Sequence, residues 1–513
     1  MRNDTARRNT EGTIKCENLT FRYFENSKRN ILDDLSLEFP KGKVTVILGS
    51  SGCGKSTLAA VMCGLYPENG GFLEKGSVFI DDKDILSLPF GERCRFITAM
   101  FQNPDLQFCM SDLKSEMYFC LENLKVPMEK MDGIIEQTAE KYGVSGLLFK
   151  PFALLSGGEK QKAALTCLIL LDPEVMVLDE PFANLDPPST AQYISLLKKK
   201  TDEESLTVIA IDHKASNWLG TADYFLLLDE KCRPASAGLI KADELKGKAE
   251  LLKELGIENP YEPVKLKAQI YHGKESAFEF ASASVFHDKK HKNKNPQLKD
   301  VLLKANKGEI IACLGPSGSG KTTFLLTLLG QKSYEGSIKV HSKELSGLKK
   351  KELFSAIGIV FQNPSIQFVT TSVQKEIESS LKMWTDADDA EIEKKATELL
   401  ESYDLRHYRK FSPFMLSQGQ QRRLAVLAMM AGDQDILLLD EPTYGQDERT
   451  TKVVMEQAAQ RADEGTTVIF TTHDRALACT WADRVWYFEN GHISEKSKEE
   501  VLDMTIRPQE PGA

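Results

Sequence analysis

The feature that most restricts what this chain can fold into is a loop pattern that occurs twice. KVTVILGSSGCGKSTLAAVMCGL and EIIACLGPSGSGKTTFLLTLLG each run from an apolar stretch through glycines and a lysine into a helix-forming stretch. That order of strand, loop and helix is the setting in which G-x-x-x-x-G-K-[ST] holds phosphate. Glycine lets the backbone turn tightly enough to aim N–H groups at phosphate oxygens, and the helix N-terminus adds its positive dipole end. The first loop comprises Gly49, Ser50, Ser51, Gly52, Cys53, Gly54, Lys55, Ser56 and Thr57. The second comprises Gly315, Pro316, Ser317, Gly318, Ser319, Gly320, Lys321, Thr322 and Thr323. Lys55 and Lys321 are placed to neutralise β/γ-phosphates, and the Ser56 and Thr322 hydroxyls to reach Mg2+.

The repeat extends well beyond the loops. FQNPDLQF at Phe101–Phe108 returns as FQNPSIQF at Phe361–Phe368. LSGGEKQK at Leu155–Lys162 returns as LSQGQQRR at Leu416–Arg423, and VMVLDEP at Val175–Pro181 as ILLLDEP at Ile436–Pro442. The lysines lie 266 residues apart, but every later pair lies 260 or 261 apart. A slip of six therefore falls between the Gly-rich loop and the FQNP segment, placed here in the loop around Tyr66–Lys75. The chain reads as two related domains, 1–245 and 273–513, joined by a linker at 246–272. That join begins as a helical pattern and is broken by Pro260 and Pro263, since proline disfavours helix in the residue before it. The basic stretch Lys289–Pro296 reads as a hairpin loop within the second domain.

Composition narrows the class. With 41% hydrophobic and 27% charged residues, 513 residues suffice for large cores. A formal charge of −10 argues against a life of non-specific attraction to nucleic acid or anionic lipid. No apolar run approaches the roughly 18–20 residues of a membrane helix, and the polar start, MRNDTARRNT, lacks a secretory apolar region. Neither export nor membrane spanning is expected. The ten cysteines form no CxxC pair and read as free thiols of a reducing compartment. Cys53 stands apart because it lies inside a phosphate loop beside a lysine, where a thiol's pKa falls.

Each LDE run reads as a strand buried on both faces, with acids at its carboxyl end, where ligands of parallel sheets collect. Asp179 and Asp440 are candidate Mg2+ holders, while Glu180 and Glu441 could polarise an attacking water. His213 and His473 follow apolar β-branched runs, 33 and 32 residues beyond those glutamates. The recurrence points to a γ-phosphate role.

Taken in order, phosphate loop, glutamine segment, LSGGQ-like segment, LDE and histidine resemble the nucleotide-binding domains of ABC ATPases, present twice. The resemblance implies an α/β fold: two tandem P-loop domains, each a mainly parallel sheet core with a helical subdomain and an antiparallel β subdomain. It implies ATP and Mg2+ as cofactors and ATP hydrolysis as the activity, with Glu180, Glu441, His213 and His473 catalytic. Gln102 and Gln362 would join Ser56, Asp179, Thr322 and Asp440 at the metal. The two domains would pair head to tail within the chain, each nucleotide meeting Ser417 and Gly419 or Ser156 and Gly158 of the opposite domain. Tyr23 resembles the aromatic that stacks on adenine; its second counterpart is Phe286 or His287, with Phe286 preferred. Two departures are evident: Gln418 replaces the first signature glycine, and ANLD at Ala183–Asp186 becomes YGQD at Tyr444–Asp447.

The doubled FQNPxxQ resembles the ATPases of energy-coupling-factor importers of vitamins or metal ions. In that resemblance Asp105–Met110 and Ser365–Thr370 would line a groove for a coupling helix. A membrane coupling subunit and a small substrate-binding membrane subunit would be the partners. The chain would sit on the cytoplasmic face of the cell membrane, and no nucleic acid is expected. The alternatives are the ATPase of a sugar or peptide importer and a soluble tandem ABC protein acting on the ribosome.

Overall fold

The computed structural model describes residues 13–182, 185, 187–268, 275–286, 295–443 and 446–504. The chain divides into two compact units that meet between Glu262 and Pro263. Each unit repeats one plan. In the first, Val44–Gly49 lies between Tyr224–Leu228 and Thr207–Ile211, followed outward by Val175–Asp179 and Ile97–Met100. All these pairings are parallel, and Ile240–Lys241 closes the far edge antiparallel. In the second unit, Ile310–Leu314 lies between Arg484–Glu489 and Thr467–Thr472, with Ile436–Leu439 and Ile357–Val360 beyond and His492–Lys496 as the antiparallel edge.

Strands buried on both faces read as near-continuous apolar runs. Val44–Gly49, Val175–Asp179 and Thr467–Thr472 are buried at every position. A smaller antiparallel sheet packs beside each core, formed from Leu32–Pro40, Thr13–Arg22 and Phe72–Ile80 in the first unit. Leu298–Asn306, Ser276–Phe286 and Ser333–Val340 form it in the second. Helices Leu113–Asn123, Met128–Lys141 and Gly157–Leu170 make a separate helical region, with Leu113, Met117, Ile135 and Ala163 in its core. Its counterpart is Val373–Lys382, Asp389–Ser402 and Gln418–Met430. The architecture is thus a mainly parallel sheet core, a helical region and an antiparallel β region, twice over. Among the described residues no helix is long and apolar enough to cross a membrane.

The six-residue slip can be located. Gly64 and Gly330, 266 apart, both follow the loop helix at left-handed φ of 68° and 66°. Gly76 and Gly336, 260 apart, both sit in the next strand at φ of 110° and 91°. The extra residues therefore lie between Gly64 and Gly76. Consecutive strands Ser276–Phe286 and Leu298–Asn306 pair antiparallel, as the hairpin reading of the basic stretch requires; residues 287–294 lie outside the described part of the chain.

The stretch expected as a linker carries apolar anchors on both sides of its prolines. Ala249–Glu254 is a helix, and Leu252 and Ile257 are buried in the first unit's core. Beyond Pro263, Val264 packs on the second unit's core, and Lys267 pairs with Asp483 at 2.7 Å. The sequence pattern showed the proline breaks but not these apolar anchors on either side of them.

Candidate functional site

Each phosphate loop hangs from a fully buried strand and ends at a glycine that caps a helix. Gly54 caps Lys55–Met62 at φ 118°, and Gly320 caps Lys321–Leu328 at φ 103°, neither helix receiving a side-chain cap. The amide groups of the first turn thus have no intrahelical acceptor and point toward the loop. A Cβ at Gly54 would meet Ile31 Cγ2 at 3.1 Å and Cys232 Cβ at 3.3 Å, so the position needs glycine for space as well as φ. Lys55 is 5% exposed and its Nζ donates to the carbonyls of Gly49 and Ser50, both at 2.8 Å. Lys321 Nζ donates likewise to Gly315 at 2.7 Å and Pro316 at 3.0 Å. Both ammonium groups are curled into their own loops.

Beside each loop stands the acid pair. Ser56 hydrogen-bonds Asp179, and Thr322 Oγ1 donates to Asp440 Oδ2 at 2.9 Å. Burial and the neighbouring Glu180 charge push the Asp179 carboxyl up to about 7. Burial raises Asp440 as well. The Asp179 Oδ1 atom is buried without a hydrogen-bond partner. A buried carboxylate oxygen lacking a donor, next to a hydroxyl and a phosphate-binding loop, suits a hard cation whose other ligands are phosphate oxygens and water. The residues therefore fit Mg2+ carried with a nucleotide.

The next residue, Glu180 or Glu441, takes left-handed φ of 48° or 52°. Such a conformation costs a non-glycine residue roughly 1–2 kcal/mol and persists only where surroundings impose it. His213 Nε2 lies 2.8 Å from Glu180 Oε1, and Gln102 Nε2 donates to Glu180 Oε2 at 2.9 Å. His473 Nε2 lies 2.9 Å from Glu441 Oε1. Burial would raise both glutamates, but His213 with Lys55 and Gln102 outweighs it for Glu180, and His473 with Lys321 and Arg422 for Glu441. Both carboxyls are held below their ordinary range. Glutamine, acid pair, histidine and lysine thus converge around one loop in the first unit.

The second unit is wired differently. Gln362 meets Arg422 through its backbone carbonyl, which accepts from Nη2 at 2.5 Å, and Nη1 of the same guanidinium donates to the Glu441 carbonyl. Arg422 is 5% exposed. Its counterpart Gln161 donates to the Glu180 carbonyl at 3.5 Å. Sequence spacing alone does not single out these two residues, although it shows the change from Gln to Arg within aligned signature helices. The second repeated glutamine also turns inward rather than toward a surface groove. Gln107 accepts from Phe101 N at 3.2 Å and donates to Ala99 O at 3.0 Å; Gln367 accepts from Phe361 N at 2.8 Å. It closes the loop that carries Gln102 or Gln362.

Ser156 and Ser417 are exposed N-caps of their signature helices, each in a reciprocal capping box with Glu159 or Gln420. Gly158 and Gly419 lie in the first turns. Asp447 caps Glu448–Asp463 by accepting from Thr450 N at 2.7 Å. Ala183, Asn184, Asp186, Tyr444 and Gly445 lie outside the described residues. Tyr23 is 45% exposed, its hydroxyl 2.7 Å from Thr57 Oγ1, within an aromatic group with Phe21 and Tyr66. Phe286 does not match it. Phe286 is only 6% exposed, and strand register explains why: Phe21 pairs with Leu32 where Val285 pairs with Leu298. Phe286 therefore takes the place of Arg22, and His287 lies outside the described residues.

Residues 32–183 and 298–444 match the ABC transporter family model. A putative HMP/thiamine import ATP-binding protein of Bacillus subtilis, YkoD, is 37% identical over 494 residues, covering 92% of this chain and 89% of that protein. A putative ABC transporter ATP-binding protein of Methanosarcina acetivorans is 30% identical, covering 95% of this chain and 86% of the relative. Among solved structures, ribosome-bound archaeal Pelota and ABCE1 includes a chain with TM-score 0.68 and 20% identity, covering 94% of this chain and 79% of that one. The complex of archaeal ribosomal stalk protein aP1 with ribosome recycling factor aABCE1 gives TM-score 0.60 at 19% identity, covering 92% and 87%. At such identities the likeness concerns the fold. It nonetheless corrects the expected partner set of membrane subunits and no nucleic acid, because chains with this tandem fold occur on the ribosome. The fold selects no membrane subunit and does not exclude nucleic acid. Matched by the family model in both halves, and related along most of its length to ATP-binding proteins, this chain belongs to the ABC transporter family as two fused nucleotide-binding domains that bind ATP with Mg2+ and hydrolyse it.

Proposed function

We propose that ATP turnover by this chain powers uptake of a small solute of the thiamine-precursor class, in the manner of energy-coupling-factor importers. The observation that carries the reading is the 37% identity to a putative HMP/thiamine import ATP-binding protein, sustained over nine-tenths of both chains. The doubled FQNPxxQF segment supports it. Within each half, Lys55 or Lys321 leaves its carbonyl partners to meet β/γ-phosphates, and the loop amides from Gly49 to Thr57 and from Gly315 to Thr323 cradle them. Ser56 with Asp179, and Thr322 with Asp440, hold the cation, with Gln102 and Gln362 sensing it. Bound Mg2+ supplies charge neutralisation for the phosphates. Glu180 and Glu441, kept ionised by their histidines, orient and polarise the attacking water, and His213 and His473 face the γ-phosphate. Tyr23 stacks on adenine, and Ser156, Gly158, Ser417 and Gly419 offer helix N-termini as further N–H donors to phosphate.

The test is uptake of labelled HMP and thiamine by the native host lacking this chain. Deletion should abolish uptake of one of them, wild-type chain should restore it, and the Glu180→Gln, Glu441→Gln form should not. A second reading, action on the ribosome, draws support from the fold likeness to ABC proteins in ribosomal complexes. Undiminished uptake of both compounds, with the chain sedimenting alongside ribosomes in an ATP-dependent way, would replace the import reading by that one.

A further inference from the structure

We infer that Asp212 and Trp218 are positioning residues that hold His213 against Glu180 in the first site, through a buried clamp the second site lacks. This inference rests on the catalytic roles proposed above for Glu180 and His213.

Asp212 follows the buried strand Thr207–Ile211 and is 9% exposed. A carboxylate so placed must be satisfied by several donors. Its Oδ1 accepts from the amides of His213 at 2.7 Å and Lys214 at 3.0 Å. Its Oδ2 accepts from Trp218 Nε1 at 2.8 Å and Asn217 Nδ2 at 3.4 Å. Both oxygens are engaged, and the histidine's own backbone amide is among the donors. Trp218 ends the short helix Ala215–Trp218 and is fully buried. Its ring packs on Phe182, with centroids 5.5 Å apart. Phe182 stands two residues after Glu180. A continuous buried path therefore runs from Glu180 through Phe182, Trp218 and Asp212 to His213. It closes where His213 Nε2 meets Glu180 Oε1 at 2.8 Å.

The corresponding residues of the second unit are Thr472, Ala478 and Thr443, at offsets of 260, 260 and 261. No indole and no carboxylate stand there. Thr472 Oγ1 accepts from Asp474 N at 3.0 Å, and Asp474 caps the helix Arg475–Trp481. The loop behind His473 is thus a capped helix start, while the loop behind His213 is tied to the segment carrying its own glutamate. Charge-assisted hydrogen bonds in a buried setting fix geometry more tightly than exposed neutral ones, and correct placement of a catalytic group can change a rate by orders of magnitude.

The test is steady-state ATPase kinetics on the purified full-length chain, comparing His213→Ala, Trp218→Phe and Asp212→Thr. Trp218→Phe keeps most of the packing and loses the N–H; Asp212→Thr installs the second site's residue. Each should lower kcat, by about twofold if the two sites contribute equally and independently, and His213→Ala should do the same, with KM for ATP unchanged. Added to His213→Ala, Trp218→Phe should lower kcat no further, because it acts through the missing histidine. Loss of kcat for His213→Ala with none for Trp218→Phe and Asp212→Thr overturns the clamp and leaves the histidine's role standing. Equal losses for Trp218→Phe with and without His213 also overturn it, as the mark of a general structural effect. Wild-type turnover in His213→Ala overturns the histidine's role, and the clamp with it.

Discussion

Glu180 and Glu441 occupy a backbone conformation that glutamate adopts only at a cost, and each has its carboxylate held by a histidine. Strain of this kind survives where the side chain must be aimed. Glu180→Gln and Glu441→Gln should each slow ATP turnover, and the double variant should lose at least about 100-fold, the usual scale for a positioned base. The single losses should be unequal, because Gln102 touches Glu180 directly whereas Arg422 bridges the backbones of Gln362 and Glu441. Phosphate release at saturating Mg-ATP measures this, and full turnover in the double variant would refute the assigned base. Cys53 permits a pH test. Hydrogen bonding from Cys232, with help from Lys55, outweighs burial and lowers its thiol to about 6, while Cys232 is raised. A lowered thiol pKa keeps the thiolate to the acid side, so alkylation should be nearly flat above pH ~7 and fall about tenfold per unit below ~6. Mg-ATP should protect Cys53, and Ser319 gives the second loop no such target. Equal labelling with and without Mg-ATP would count against a thiol inside the phosphate cradle. These residues were legible from type and spacing. Arg422, Asp212 and Trp218 were not, because their importance comes from whom they touch, not from a repeated motif.

Among elements, the parallel strands were the easiest to read. Apolar runs ending in acids have few foldings other than a strand buried on both faces, and Val175–Asp179 is one. The helical region was harder, because it holds polar residues at buried positions. Glu116 lies in Leu113–Asn123 at 5% exposure, and its Oε2 accepts from the amides of Cys109 at 2.9 Å and Met110 at 2.8 Å. Glu376 does the same for Val369 and Thr370. A glutamate on a helix reads as solvent-facing in a sequence, since nothing local reveals the loop folded over it. Glu116→Ala should strand two buried amides and cost about 1–3 kcal/mol, with Glu116→Gln costing less because it keeps an acceptor. Urea denaturation of both variants checks the ranking; equal losses would mean that the carboxylate's charge, and not its acceptor, holds the loop. The inward turn of Gln107 belongs to the same class of surprise, a polar side chain spent on its own backbone.

At the scale of the whole molecule, the chain is two units, each with its own cores, and the boundary proposed here is Glu262/Pro263. A fragment of residues 1–262 should unfold cooperatively. One of residues 1–248 should be less stable by several kcal/mol, because it loses Leu252 and Ile257 from the first core, and one buried Leu or Ile commonly contributes about 2–5 kcal/mol. Denaturation midpoints of the two fragments measure the difference, and equal midpoints would return Ala249–Glu254 to the linker. The sequence alone determined that the molecule is doubled, that each half places a phosphate loop between a buried strand and a helix, and which acids and histidines accompany it. Those features follow from local requirements: backbone conformations open to glycine, the apolarity of doubly buried strands, and charge opposite phosphate. Tertiary structure alone decided that Phe286 aligns with Arg22 and not with Tyr23, which apolar residues flank the proline breaks, and how each glutamate is held. A strand register, a core anchor and a buried hydrogen bond each join residues far apart in the chain, and neither composition nor periodicity carries information about such meetings.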